Sequence, residues 1–282
     1  MPSLDNVYSS NIKPEDYDSF RQVLEEQCGI LLGENKQYLV SSRLNTMLKA
    51  EGINSLNELN TIMKRQSNPI LRQKVIDAMT TNETFWFRDI FPFDIFKDRI
   101  LPELSEKPGS PTIWTAACSS GQETYSICIS LDEYNSIAKK KLHGTKIIAT
   151  DISEKVLKVA TEGEYDQLSL SRGLSQVRLK KYFHPTQDNR WRVNSDIKQV
   201  VTFRYFNLLE KNYSLGKFDI IFCRNVLIYF SADLKAKVIT KIADSLKPGG
   251  YLFLGASEAM SPTVADRFEM IVCHPGIVYR LK

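Results

Sequence analysis

From residue 112 onward, short apolar runs alternate with amphipathic stretches. "TIWTA" precedes "ETYSICISLDEYN", and "KIIATD" precedes "SEKVLKVATEG". "VVTF" and "FDIIFCR" follow, then "SADLKAKVITKIADSL", a turn at Pro248-Gly249-Gly250, and "YLFLGA". The first of each pair has strand length and strand composition, and the second has helical period. Such alternation demands a largely parallel sheet with helices on both faces, an α/β class. The closing "FEMIVCHPGIVYRLK" reads as a hairpin adding antiparallel pairing at one edge.

The first 80 residues have a different pattern. Residues 1 to 12 are polar, an end expected to fray, with no basic start and apolar stretch of a signal peptide. Pro14 suits a first helical turn, and Tyr17, Phe20, Val23 and Leu24 follow at helical spacing up to Cys28-Gly29. Further helices are expected over Lys36 to Ala50, Leu56 to Arg65 and Ile70 to Thr80. This predicts an all-α N-terminal domain over 1–80. Residues 81–110 then form a linker and an aromatic-rich helix (Phe91, Phe93, Ile95, Phe96, Ile100), and 111–282 carry the sheet. Residues 165–199 break the alternation. "VRLKKYFHPTQDNRWRVNSDIKQ" mixes aromatics, turn residues and charges, and predicts a small inserted β unit of two or three strands.

Ligands of an open parallel sheet bind beyond the carboxyl ends of its strands. The first strand ends in "AACSSGQE", whose small residues allow close backbone approach. With one glycine it is no G-x-G-x-x-G loop, so a ligand without a pyrophosphate fits better. Glu123 stands in the first turn of the following helix, where a carboxylate is also favourable for electrostatic reasons alone. Asp151 ends the second strand. It can accept the two hydroxyls of a ribose or cap the next helix. Together with the preceding loop it favours a nucleoside-type ligand. After the third strand, Asn207 can meet an adenine edge, with Leu208 or Phe206 against its face. "FDIIFCRNVLIYF" buries a strand and then presents Arg224, Asn225 and Tyr229 at its end. "TTNETFWFRD" threads Asn82, Thr84 and Arg88 through an aromatic cluster, costly unless those polar groups are used or satisfied.

Bulk properties narrow the function classes. Thirty-seven basic against 33 acidic residues leave a net charge of +4, too modest to demand nucleic acid. Five scattered cysteines without a C-x-x-C fit a reduced, cytoplasmic setting. The isolated His143, His184 and His274 argue against a metal site. No apolar run approaches the roughly 20 residues of a membrane helix, so membrane insertion is not expected.

Collected in order, "TTNETFWFRD", "WTAACSSGQETYS", "ATDIS" and "FDIIFCRNVLIYF" resemble the CheR family, the chemotaxis receptor methyltransferases that use S-adenosylmethionine. The similarity runs from about residue 14 to 280. The resemblance implies a Rossmann-like class I methyltransferase sheet with a small β-subdomain insertion, preceded by an all-α domain. It implies transfer of a methyl group to glutamate side chains on the cytoplasmic helices of chemoreceptors, with S-adenosylhomocysteine as product. Carried over, Asn82, Thr84, Arg88, Glu123, Asp151, Asn207, Leu208, Arg224 and Asn225 are the cofactor-contacting set. Arg88 and Tyr229 are the positions closest to the transferred methyl. Glu123 is expected to face the cationic methionine end of the cofactor.

The chain departs from the family pattern twice. The second helix bears Lys36 and Arg43 on one face as the expected receptor contacts, but Thr46 where a base belongs. The β-subdomain loop "HPTQDNRW" is short and lacks glycine, so docking of a receptor's C-terminal pentapeptide is not expected. Two rival classes are weighed. The first is a methyltransferase acting on nucleic acid or a small molecule; the N/D-P-P-Y/F signature for base amino groups and a Pro-Cys pair for cytosine are both absent. A non-catalytic S-adenosylmethionine-binding sensor or scaffold would have lost polar groups that are all retained here. A monomer is expected, because no long apolar seam is left exposed.

Overall fold

The computed structural model describes residues 12–282, so the expectation for the polar N-terminal end lies outside the described residues. Four helices open the chain: α1 (Pro14–Cys28), α2 (Gln37–Ala50), α3 (Leu56–Arg65) and α4 (Pro69–Met79). Their ends follow local chemistry. Proline opens α1 and left-handed Gly29 closes it. Ser55 caps α3 by accepting from Glu58 N–H, while the Glu58 carboxylate accepts from Asn54 N–H. The apolar faces meet in one core around Phe20, Leu24, Leu44, Leu59 and Val75.

The aromatic helix is α5 (Phe91–Ile95), which runs through a π turn (Phe96–Ile100) into α6 (Leu101–Ser105). Then come β1 (Thr112–Ala116), α7 (Gln122–Ile137), β2 (Lys146–Asp151) and α8 (Glu154–Glu162). The insertion holds β3 (Glu164–Tyr165), α9 (Gln167–Ser171), α10 (Gln176–Tyr182), β4 (Phe183–Pro185), β5 (Trp191–Val193) and α11 (Ser195–Lys198). The remainder is β6 (Val201–Tyr205), β7 (Phe218–Cys223), α12 (Ala232–Ser245), β8 (Leu246–Leu254), α13 (Pro262–Ala265), β9 (Phe268–Cys273) and β10 (Gly276–Leu281).

The main sheet has the order β6-β2-β1-β7-β8-β10-β9, and β3-β5-β4 form a separate small sheet. β6 to β8 are mutually parallel, and the terminal hairpin joins β8 antiparallel. From β1 the chain moves outward through β2 to β6 and then returns to the other flank of β1 as β7. The strand order reverses between β1 and β7, so their carboxyl ends diverge and open a crevice. Alternate residues feed opposite layers. Ile113 and Phe222 pack on one side of the sheet, and Trp114 and Ile221 on the other.

Two sequence expectations need correction. The insertion has three strands where two or three were expected, but 176–182 is a helix. Ser175 caps it, and Leu179 and Tyr182 bury at helical spacing, which outweighs the β-branched and aromatic content. Pro248-Gly249-Gly250 does not separate α12 from the last parallel strand. β8 already begins at Leu246, paired with Phe218, and resumes at Tyr251, paired with Ile220. The glycines form a bulge inside the strand, where Lys247 reaches the Asp219 carboxylate (2.7 Å).

Candidate functional site

Beyond β1 the chain turns sharply. Ala117 (φ 60°), Ser119 (φ 50°) and Gly121 (φ 93°) are all left-handed. Only glycine suits the last position: a Cβ there would come 3.0 Å from Ala160 Cβ and 3.1 Å from the Tyr165 hydroxyl. That hydroxyl donates to the Ser120 carbonyl (2.7 Å). The loop is tied to β2 as well. Cys118 N–H donates to the Thr150 carbonyl (2.9 Å), and Ser119 N–H donates to Asp151 Oδ2 (2.8 Å).

Asp151 is buried, and its Oδ1 accepts from Ser153 N–H (2.9 Å). It does not cap α8; Ser153 does, accepting from Val156 N–H. Each carboxylate oxygen therefore holds one N–H and keeps a lone pair, as two adjacent hydroxyls require. Burial pushes this carboxyl above the ordinary aspartate range, and the N–H groups of Ser153 and Ser119 offset that in part.

The opposite wall comes from β7. Arg224 is fully buried. Its Nη1 donates to Glu123 Oε2 (2.7 Å), and its Nη2 donates to Asp89 Oδ2 (2.6 Å) and the Arg88 carbonyl (3.1 Å). Two carboxylates on one guanidinium leave net negative charge, which suits a cationic ligand. Burial pushes the Glu123 carboxyl upward, and the Arg224 charge pulls it back. Asn225 follows in left-handed backbone (φ 61°). The Glu258 carboxylate organises this turn: Oε2 accepts from Asn225 N–H (2.8 Å) and Gly255 N–H (2.7 Å), and Oε1 accepts from Leu227 N–H (2.7 Å). That brings Tyr229 to the cleft, half-buried, its hydroxyl without a protein partner among the described residues.

The cleft lies between the N-terminal helices and the sheet. All nine residues expected to contact a cofactor line it, together with Tyr229. Asn82 enters through its backbone, its carbonyl accepting from Ser119 Oγ (2.9 Å). Three non-glycine residues of left-handed backbone (Ala117, Ser119, Asn225) line it, and three more (Phe87, Asp89, Ile90) lie within two residues of the lining Arg88. Such conformations persist where the surroundings enforce them, often at functional sites.

Several placements differ from expectation. The Asn207 side chain is turned to the protein. Its Nδ2 donates to the Gln27 carbonyl at the end of α1 (2.8 Å), and its Oδ1 accepts from Leu209 N–H (2.9 Å). It stitches the two regions together instead of presenting a free amide to an adenine edge. Arg43 does not share an outer cationic face with Lys36. Its Nη1 donates to the Met79 carbonyl (2.6 Å), satisfying the end of α4, and the side chain lines the cleft. Lys36 is exposed, beside the Tyr38 ring.

Residues not anticipated are Asp89, Glu258 and the apolar wall from the turn after α1, Ile30, Leu31 and Leu32. Leu31 N–H donates to the Tyr229 carbonyl (2.9 Å), which closes the wall against the β7 loop. The consecutive apolar residues in "GILLG" were the available signal: Leu32 is buried, and Leu31 remains 50% exposed on the cleft wall.

Comparison with known proteins gives the family. Residues 15–80 match the family described as CheR methyltransferase, all-alpha domain. Residues 82–277 match CheR methyltransferase, SAM binding domain. The chemotaxis protein methyltransferase Cher2 of Pseudomonas putida is 52% identical over 271 residues, covering 95% of this chain and 98% of that one. Chemotaxis protein methyltransferase 1 of Pseudomonas aeruginosa is 52% identical over 270 residues, with 95% and 98% covered. The chemotaxis protein methyltransferase of Vibrio anguillarum is 48% identical, with 96% and 98% covered. Acidic Glu123, the Asp151 oxygens and the apolar Phe206 and Leu208 fit S-adenosylmethionine, which has a cationic amino acid end, a ribose and a base but no phosphate. Both parts of the chain, the helical one and the sheet, thus belong to the CheR family of S-adenosylmethionine-dependent chemotaxis methyltransferases.

Proposed function

We propose that this protein methylates glutamate side chains on the cytoplasmic helices of chemoreceptors, leaving glutamate methyl esters. The observation that carries this reading is that Arg88 and Tyr229 line one cleft, which none of the three histidines lines. Arg88 is half-buried over the Phe85 ring, and its one hydrogen bond among the described residues is from Nη1 to the Glu83 carbonyl, at 3.2 Å. A guanidinium with spare donors suits an incoming carboxylate, and the free Tyr229 hydroxyl can orient its second oxygen. Bound S-adenosylmethionine supplies the electrophilic methyl. The acceptor carboxylate is already ionised, its ordinary pKa being about 4.3, so no general base is needed. Arg88 also keeps that carboxylate charged as it leaves water. Alignment of the reacting atoms is then the main task, and positioning of this kind supplies at most about 7–11 kcal/mol.

The test is transfer from radiolabelled S-adenosylmethionine to membranes each enriched in one bacterial chemoreceptor, followed by mild alkali. Volatile, base-labile label on receptor is expected. Failure with every receptor, while the cofactor still binds in calorimetry, would favour the non-catalytic sensor.

Pentapeptide docking is not expected to contribute. In the β4–β5 connection Thr186 N–H donates to the Arg190 carbonyl (2.8 Å), and Asn189, not glycine, takes the left-handed position (φ 57°). Micromolar calorimetric binding of a receptor's C-terminal pentapeptide would refute this.

Cofactor binding is expected to depend on pH. Glu123 and Asp151 both have carboxyls raised by burial in the free protein, and their charged forms are the ones that meet a cation and two hydroxyls. Raised folded values favour the folded protein below the ordinary carboxylate range, and that stability is lost as pH rises through them. Cofactor, by favouring the charged forms, shifts both values down. Binding should release protons on the acid side of neutrality and tighten as pH rises. Calorimetry in two buffers of different ionisation enthalpy checks the sign; proton uptake would contradict it.

A further inference from the structure

We infer that Arg178 and Arg172, on the inserted unit, are positioning residues for Arg88. This rests on the reading of Arg88 as the group that holds the acceptor carboxylate. The segment between Glu83 and Ile90 is gripped from the insertion at successive points. Arg172 Nη2 donates to Glu83 Oε1 (2.9 Å), and the Arg172 carbonyl accepts from Trp86 N–H (3.1 Å). Gly173 follows directly, where any Cβ would collide with the Trp86 carbonyl. The Trp86 ring is buried edge-to-face against Tyr165 and Phe183, both from the insertion.

The decisive contact is at Phe87. Its φ of 50° is a conformation that bulky side chains avoid. Such a residue stays there only if its surroundings over-determine it. Three groups do so. Ser126 Oγ accepts its N–H (3.0 Å), the Phe93 ring meets it edge-on (5.2 Å between centroids), and the Arg178 guanidinium carbon lies 3.7 Å from its ring centroid. That guanidinium is itself fixed, with Nε and Nη2 donating to the two oxygens of Glu133 on α7 (2.8 and 2.9 Å). The plate on Phe87 is therefore anchored to the sheet domain through a helix. Phe87 is the residue before Arg88. Relaxing its φ toward the allowed region swings Arg88, while Arg224 stays held by Glu123 (2.7 Å). The insertion thus does work at the reaction centre independent of any partner it docks.

Arg178→Met keeps an apolar stem and removes both the plate and the fork. Its kcat for methyl transfer to receptor-containing membranes should fall about 10- to 100-fold, the scale of a small misplacement of a reacting group. The Kd for S-adenosylhomocysteine, measured by calorimetry, should stay within about threefold, because Arg224, Glu123 and Asp151 are untouched. Arg178→Lys, which restores a cation over the ring, should recover part of kcat. In an Arg88→Ala background, Arg178→Met should change kcat less than about twofold, since a residue acting through Arg88 has nothing left to position. Multiplicative losses in that cycle, unchanged kcat in Arg178→Met, or a parallel collapse of cofactor affinity would each overturn the proposal. If Arg178→Met does not unfold cooperatively, Arg178→Lys carries the test: wild-type kcat overturns it, and reduced kcat with intact Kd supports it. Normal turnover by Arg88→Ala alone, or no receptor methylated by the parent protein, would instead sink the underlying reading and this proposal with it.

Discussion

Arg224→Ala is expected to cost about 3–5 kcal/mol of stability, the scale for removing one partner of a buried ion pair. Its guanidinium is fully buried and holds Glu123, Asp89 and the Arg88 carbonyl together. Truncation leaves the Glu123 carboxylate, with 11% of its side chain exposed, facing burial without its counter-charge. The pH dependence supplies a sign. Arg224 is the group that opposes the upward push of burial on Glu123, so the variant's Glu123 rises further. A raised carboxyl gives stability that is present at low pH and lost as pH increases. The gap between variant and parent should therefore narrow on acidification. Urea unfolding at several pH values measures both effects. A loss below about 1 kcal/mol, the level of an exposed surface pair, would show that the pair is not buried in this way.

Asp151→Ala should weaken S-adenosylhomocysteine binding about 100- to 10,000-fold. Two hydrogen bonds to a charged acceptor contribute roughly 1.5–3 kcal/mol each, and every 1.4 kcal/mol is tenfold. The same change frees Ser119 N–H and Ser153 N–H, so the loop after β1 loses its tie to β2. Asp151→Asn keeps one acceptor and should fall between the two. Calorimetric titration separates the cases. An alanine variant that binds within about threefold of the parent would mean that the carboxylate serves only to fasten Ser119 and Ser153.

The features legible in advance share one property: they depend on neighbours in sequence. The α1 stop at Cys28-Gly29 and the run of α3 from Leu56 to Arg65 are settled within a few residues. The strand–helix alternation predicts where polar groups must emerge, so Glu123, Asp151 and Arg224 could be singled out as residues ending buried segments. The resemblance to a known family added their roles and the link to Asn82, Thr84 and Arg88. Where local patterns competed, the reading failed. Residues 176–182 have strand-like composition, yet Ser175 and the Leu179–Tyr182 spacing made them a helix. At Pro248-Gly249-Gly250 turn residues marked a bulge, because β7 offered a partner on both sides of them.

The partners of the polar side chains were not legible, and they decide what those side chains do. Asn207 meets Gln27 across 180 residues, and Arg43 meets Met79 across 36. Glu258 was unmarked, yet its carboxylate gathers the N–H groups of Asn225, Leu227 and Gly255. By itself the sequence determined the helical and sheet regions, the strand ends that carry chemistry and the absence of a pyrophosphate loop, because periodicity and caps act over a few residues. Only the tertiary structure decided that Arg224 is shared by two carboxylates, that Asn207 and Arg43 are spent on backbone carbonyls, and that Arg178 lies on Phe87. A charge or a hydrogen bond is directional and short-ranged. Its partner is whichever group the packed chain brings within about 3 Å, and no local pattern carries that information.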